Sequence, residues 1–258
     1  MDLLQEICPF HPGSHQLSVI TTDLTESEAL ILRLAREAQE AHPEDFAGKT
    51  PCVYYKIPYV PPYETFRELR RLILHIRENT GLRAHFRGVV AIEVTQWLGH
   101  ETDEYFTVLL KYLSDHRGLW QAALVLNSET ESQTQRFLSA CASYITPRLF
   151  DVSLFSCPDR LRQTIRRECG LQGKLITRDA AQTLAEVLAS SEFCQARSLS
   201  LIQRTAEELV AGSLSNGIIT EEAVLEYLAD PHSLLAMIAG KTLPAERSKV
   251  NVAEPLQL

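Results

Sequence analysis

Two hydrophobic periods alternate along the first 155 residues of this chain, and few architectures accept that pattern. Strand-like runs cover residues 17–21, 52–57, 88–94, 121–126 and 149–155. Between them, apolar residues recur at helical spacing. One such segment starts near Glu26 and carries Leu30, Leu34 and Ala38, and the next carries Phe66, Leu69, Ile73 and Ile76. A third carries Phe106, Leu109, Leu110 and Leu113, and a fourth runs over residues 131–144. A strand–helix alternation predicts right-handed βαβ crossovers and a parallel sheet covered on both faces. The runs around Val89 and Ala123 are apolar almost throughout, as central strands buried on both sides require.

Strand signals stop after Phe155. Cys157-Pro158-Asp159 opens a basic helix, and Thr177-Arg-Asp-Ala and Thr220-Glu-Glu-Ala each place a hydroxyl cap before acids in a first helical turn. Leu199, Ile202, Ala206 and Leu209 mark a further amphipathic stripe. The expected organisation is an α/β domain over residues 1–156, an all-helical domain over 157–240, and a weakly periodic tail over 241–258. The expected fold class is α/β: a three-layer parallel sheet of about five strands followed by a small helical lid.

At 258 residues, 45% hydrophobic and 22% charged, the composition is that of a folded globular protein. A net charge of −8 argues against coating nucleic acid or anionic membrane by bulk charge, and leaves room for a local basic patch. The longest apolar run, residues 234–239, is far shorter than the ~20 residues that span a bilayer. No signal peptide is visible at the start, so the expectation is a cytoplasmic protein without membrane contact. The six cysteines form no C-x-x-C pair. Cys8, His11 and His15 supply three of the four ligands structural zinc wants; no metal is expected, and an ordinary turn at Pro12-Gly13 accounts for them.

Several local stretches resemble the AAA+ module of P-loop NTPases across residues 17–229. Val89-Val-Ala-Ile-Glu93 looks like the Walker B strand, and Ala123-Leu-Val-Leu-Asn127 looks like the sensor-1 strand with its terminal polar residue. Ile145-Thr-Pro-Arg148 is similar to the segment that carries the intersubunit arginine finger. Gln195-Ala-Arg197 looks like the start of the lid helix with the sensor-2 arginine; its alternative is a structural arginine paired with acids.

The departures matter more. A working phosphate loop reads G-x-x-x-x-G-K-[ST], with glycines that let amides converge on phosphate and a lysine that neutralises it. The corresponding stretch here, residues 21–28, has no glycine and no cation, and carries Asp23, Glu26 and Glu28. Like charges a few ångströms apart cost about 1 kcal/mol in water and about 4 at an effective dielectric of 20. Thr25 followed by Glu28 reads as a capping box. Gly48-Lys-Thr50 precedes Pro51, and Gly240-Lys-Thr242 is expected to open the tail, so neither is a phosphate loop. Gly170-Leu-Gln-Gly173-Lys is expected in a loop between lid helices. Glu93 is followed by Val94, so the second acid that would polarise an attacking water is missing.

The resemblance therefore implies a degenerate nucleotide site at Asp23, Thr25, Glu93, Asn127 and Arg197, with no ATP or Mg²⁺ bound and no hydrolysis in cis. It also implies an interaction or regulatory subunit beside an active ATPase or nucleic-acid-handling machine, with Arg148 as a candidate arginine finger in trans. The alternatives are an active P-loop-type ATPase with an unorthodox loop, or an unrelated α/β enzyme in which Asp23, Glu93, His100, Asp103 and Asn127 converge at the strand ends. Two arginine clusters are candidate phosphate or partner contacts. One holds Arg67, Arg70 and Arg71, with Arg77, Arg83 and Arg87 beyond, and the other holds Arg160, Arg162, Arg166 and Arg167. The tyrosine- and proline-rich stretch over residues 54–63 is either an interaction loop or packing for the sheet edge.

Overall fold

The computed structural model describes residues 10, 17–41, 52–58, 62–80, 88–101, 103–115, 121–127, 131–213 and 217–242. The chain divides into two compact units, Met1–Arg160 and Leu161–Leu258.

The first unit is built in the order β1 (Leu17–Thr21), α1 (Glu28–Ala41), β2 (Val53–Lys56), α2 (Pro62–Thr80), β3 (Val89–Glu93), α3 (Glu104–Asp115), β4 (Gln121–Leu126), α4 (Glu131–Ala142) and β5 (Pro147–Asp151). Its strands form one parallel sheet in the order β2-β3-β4-β1-β5. β1 and β4 align Ser18 with Ala123, and β3 aligns Glu93 with Lys56 on one side and Val125 on the other.

This order fixes the layers. The β1-to-β2 crossover travels across the sheet in one direction, and all later crossovers travel in the other. With right-handed connections, α1 covers one face while α2, α3 and α4 cover the opposite one. The main apolar cluster follows that rule: Leu17, Val19, Val90, Ile92, Leu124 and Leu126 pack with Leu72 and Ile76 of α2, Phe106 and Leu110 of α3, and Phe137 of α4. Alternate residues Ile20, Val89, Ala91, Ala123 and Val125 face the other way and are also buried. β3 is buried along its whole length, whereas edge strands β2 and β5 are buried only in part. The expected five-strand parallel α/β sheet is thus present.

Three local expectations shift. The last strand runs over Pro147–Asp151, earlier than residues 149–155, because its ladder to β1 ends where Thr21 pairs with Asp151. The first helix begins at Glu28, and its first turn closes by donation from Ile31 N to the carbonyl of Ser27 at 3.0 Å. Ser27, not Thr25, therefore stands at the cap position. Gly240-Lys-Thr242 lies in the last turn of a helix, Leu234–Thr242, and does not open a tail.

The second unit holds α5 (Pro158–Leu171), which begins just before the division between the units, β6 (Leu175–Ile176), α6 (Arg178–Ala189), α7 (Leu199–Gly212), β7 (Ile218–Ile219), α8 (Glu221–Ala229) and α9 (Leu234–Thr242). It is not wholly helical: β6 and β7 form a two-residue parallel pair, Leu175 opposite Ile218. Such strands are too short to leave a period in the sequence. The capping expectations hold, since Thr177 accepts from Ala180 N and Thr220 from Ala223 N. Among the described residues no helix is long and apolar enough to cross a membrane.

Candidate functional site

In open parallel sheets, ligands bind beyond the carboxyl ends of the strands where the chain direction switches. Here that place is the corner after β1, flanked by the ends of β3, β4 and β5. The corner is short, and several of its groups are tied down. Thr22 donates its amide to Leu126 O at 3.0 Å, and Leu24 donates its amide to the Thr22 hydroxyl at 3.2 Å. Leu24 itself is buried. Asn127, at the end of β4, donates from Nδ2 to Leu24 O at 3.2 Å and from its amide to Thr95 Oγ1 at 2.9 Å.

Asp23 faces the segment after β5 rather than an open hollow. Its two carboxylate oxygens accept the amides of Leu154 at 2.8 Å and Ser156 at 2.6 Å. Arg160 holds the same segment from its other side, donating to Ser153 O at 3.2 Å and to Asp151 at 3.1 Å. Partial burial would raise the Asp151 carboxyl, but hydrogen bonds from Ser153 and the Arg160 charge outweigh it and hold the group below its ordinary value.

Glu93 is buried and surrounded by donors. Tyr54 donates its hydroxyl to Glu93 Oε2, Ser27 donates to the same oxygen at 3.2 Å, and Lys56 Nζ lies 2.6 Å from Oε1. The Tyr54 and Ser27 hydroxyls are themselves 2.8 Å apart. Burial, then the bond to Glu93, pushes the Tyr54 hydroxyl far above its ordinary value, so it remains a proton donor at any working pH. The constellation follows from register: Tyr54 and Lys56 lie on alternate positions of β2, Lys56 pairs with Glu93, and all three point to the face covered by α1, where Ser27 begins the helix.

Glu93 and the corner are held mainly by the protein's own groups. A carboxylate has about four lone-pair positions, and three neighbours already take three of those of Glu93. Two amides of the corner, those of Thr22 and Leu24, are bonded to the protein itself, and residues 21–28 contain no lysine or arginine. Thr25 and Glu28 are exposed. His100 and Asp103 pair with each other at 3.8 Å and lie past the short turn after β3.

The remaining candidates are dispersed. Arg148 stands in β5, not before it, exposed and with its guanidinium carbon 4.9 Å above the ring of Phe150. Arg67 and Arg70 are exposed on α2, and Arg71 pairs with the buried Glu68. In the second unit, Arg162 donates to Gln182 Oε1 at 2.9 Å, Arg166 is exposed, and Arg167 is half-buried. Arg197 caps the turn Ser191–Ala196 and donates to Ala189 O at 3.2 Å. Cys8, His11, His15, Arg83, Arg87, Gly48-Lys-Thr50 and residues 59–61 of the tyrosine-rich stretch lie outside the described residues.

Sequence reasoning missed Ser27, Tyr54 and Lys56. The one signal was the spacing of Tyr54 and Lys56 on alternate positions of an expected strand, and it names no partner until the order of strands is known.

No protein-family model matches the sequence, and no curated relative does. Solved structures do. A Bacillus subtilis DNA clamp loader delta protein is 12% identical over 84% of this chain and 57% of that one, with a TM-score of 0.40. C. elegans PCH-2 is 13% identical over 90% and 62%, with a TM-score of 0.46. A mutant of Thermotoga maritima RuvB is 16% identical over 76% and 66%, with a TM-score of 0.36. The chain thus spans less than two thirds of the length of each of these structures.

Proposed function

We propose that this chain is an AAA+-like module whose nucleotide site has become internal structure, and that it serves as an interaction or regulatory subunit beside an active ATPase or nucleic-acid machine. The observation that carries this is the occupancy of Glu93 by Tyr54, Ser27 and Lys56. The acid that would share Mg²⁺ with phosphate instead joins β2, β3 and the start of α1. Asp23 likewise secures the segment after β5. The absence of glycine and cation in residues 21–28 supports the same conclusion, since nothing there could neutralise a triphosphate.

Arg148 is the residue on which a contribution to a neighbour's site would rest. It is exposed, and stacking on Phe150 restrains its side chain, so it could be offered across an interface to a γ-phosphate.

The test is calorimetric titration of the full chain with ATP and Mg²⁺. A flat titration is expected, whereas micromolar binding would return the corner to the class of working phosphate loops. For an ATPase that co-purifies with the chain, Arg148→Ala should lower its turnover while the melting temperature of this chain stays put. Unchanged turnover removes the finger role and leaves the rest standing.

A further inference from the structure

The outer face of α2 combines charge with exposed apolar surface. Helical spacing sets Arg67, Arg70, Arg71, Leu74 and Arg77 along one stripe, and all five are exposed. The opposite stripe, Leu69, Leu72 and Ile76, is the one buried against the sheet. Leu74 lies at the centre of the arginine stripe and is 44% exposed. On the neighbouring helix α3, Tyr112 is hydrogen-bonded to Arg77, and the adjacent Lys111 is exposed. Three acids lie nearby: Glu68 is buried and offsets Arg71, Glu64 is half-buried at the start of the helix, and Glu78 is exposed at its far end, so the stripe keeps more cations than acids.

We infer that the α2 stripe of Arg67, Arg70, Arg71 and Arg77 around the exposed Leu74 is a docking surface for an acidic amphipathic helix of a protein partner. Charge complementarity selects the sign of the partner. A helix with carboxylates three and four residues apart matches the spacing of these guanidinium groups, which donate to a carboxylate through two parallel N–H bonds. Leu74 selects protein over nucleic acid. An apolar side chain on the partner gains by covering Leu74, whereas a duplex presents an unbroken phosphate line, about one charge per 1.7 Å, with nothing to cover it. A long polyanion would also meet the rest of a surface whose net charge is −8, while a short acidic helix touches only the local patch. The inference stands on α2 alone and does not depend on how the nucleotide corner is read.

The test uses the full chain and three fluorescein-labelled probes: a helical peptide with one glutamate-rich face around a single leucine, a scrambled peptide of equal charge, and a short DNA duplex. Anisotropy should show the helical peptide binding more tightly than its scramble, with affinity falling as salt rises. Reversing two charges, Arg67→Glu with Arg70→Glu, should weaken the peptide at least about tenfold. Leu74→Ser should weaken it about fivefold and leave the salt dependence unchanged. These positions are exposed, and a thermal melt checks that each variant folds. Equal binding of the scramble, indifference to both variants, or tighter binding of the duplex that charge reversal abolishes would each overturn the proposal.

Discussion

Glu93 shows how little one residue means before its neighbours are known. An acid that ends an apolar strand suits a metal ligand and a structural acceptor equally well. Here two hydroxyls and an ammonium group surround it, so removing one of them should be read in stability. Tyr54→Phe removes a donor from a buried carboxylate and should cost about 1–2 kcal/mol. Glu93→Gln should cost a comparable amount, because a charge-assisted set of bonds becomes a neutral one. Urea denaturation checks both, with the nucleotide titration remaining flat. Unchanged stability in Glu93→Gln would mean that the acid is held in reserve for something else. The charge of Asp23 was legible because charge is a property of the residue itself. Its bonds to Leu154 and Ser156, about 130 positions away, were not.

Among the elements, the ends of helices were the most readable parts, because capping is a contest among neighbours a few residues apart. Thr177 and Thr220 behave as their sequences require. The end of α5 is equally local. Lys174 N donates to Cys169 O at 3.1 Å and Gly173 N to Gly170 O at 3.0 Å, the pair of bonds that closes a helix through a left-handed residue. Gly173 supplies that residue at φ +82°, and a β-carbon there would touch nothing within 4 Å. Gly173→Ala should therefore cost only the backbone strain, about 1–2 kcal/mol, visible as a lower urea midpoint with an unchanged slope. A cost near zero would show that the turn rearranges freely. Beyond the turn, Lys174 Nζ bonds Ser213 O and Ser213 Oγ and reaches Val210 O at 2.8 Å, satisfying the carbonyl end of α7. That contact, and the β6–β7 pair beside it, had no local signature. The shifted cap of the first helix has the same cause: Thr25 is a sound cap by sequence, but Ser27 stands at the turn, bonded to Tyr54 and Glu93.

At the scale of the whole molecule, each unit has its own buried core, and each core contains a cysteine. Cys141 in the first unit and Cys169 in the second are fully buried, and burial pushes their thiols up to about 12 and about 11. Cys52 is pushed up to about 12, by burial and then by Glu28. The thiolate is the reactive form, so at pH 8 these three should resist alkylation in the native protein, while the exposed Cys194 reacts at once. Mass spectrometry of iodoacetamide-treated protein across a urea series reads this residue by residue, with Cys141 reporting on the sheet unit and Cys169 on the helical one. Rapid native labelling of either would contradict the buried cores described. By itself the sequence determined the alternation of strands and helices, the helical character of the C-terminal part, the caps at Thr177 and Thr220, and the acidic charge of the β1 corner, since period and charge act over a few residues. Only the tertiary structure decided the strand order, the register that sets Lys56 beside Glu93, and the use of Asp23, Ser27 and Tyr54 as internal ties. Those depend on which distant segments lie side by side, and a parallel sheet joins strands that its crossovers hold far apart in the chain.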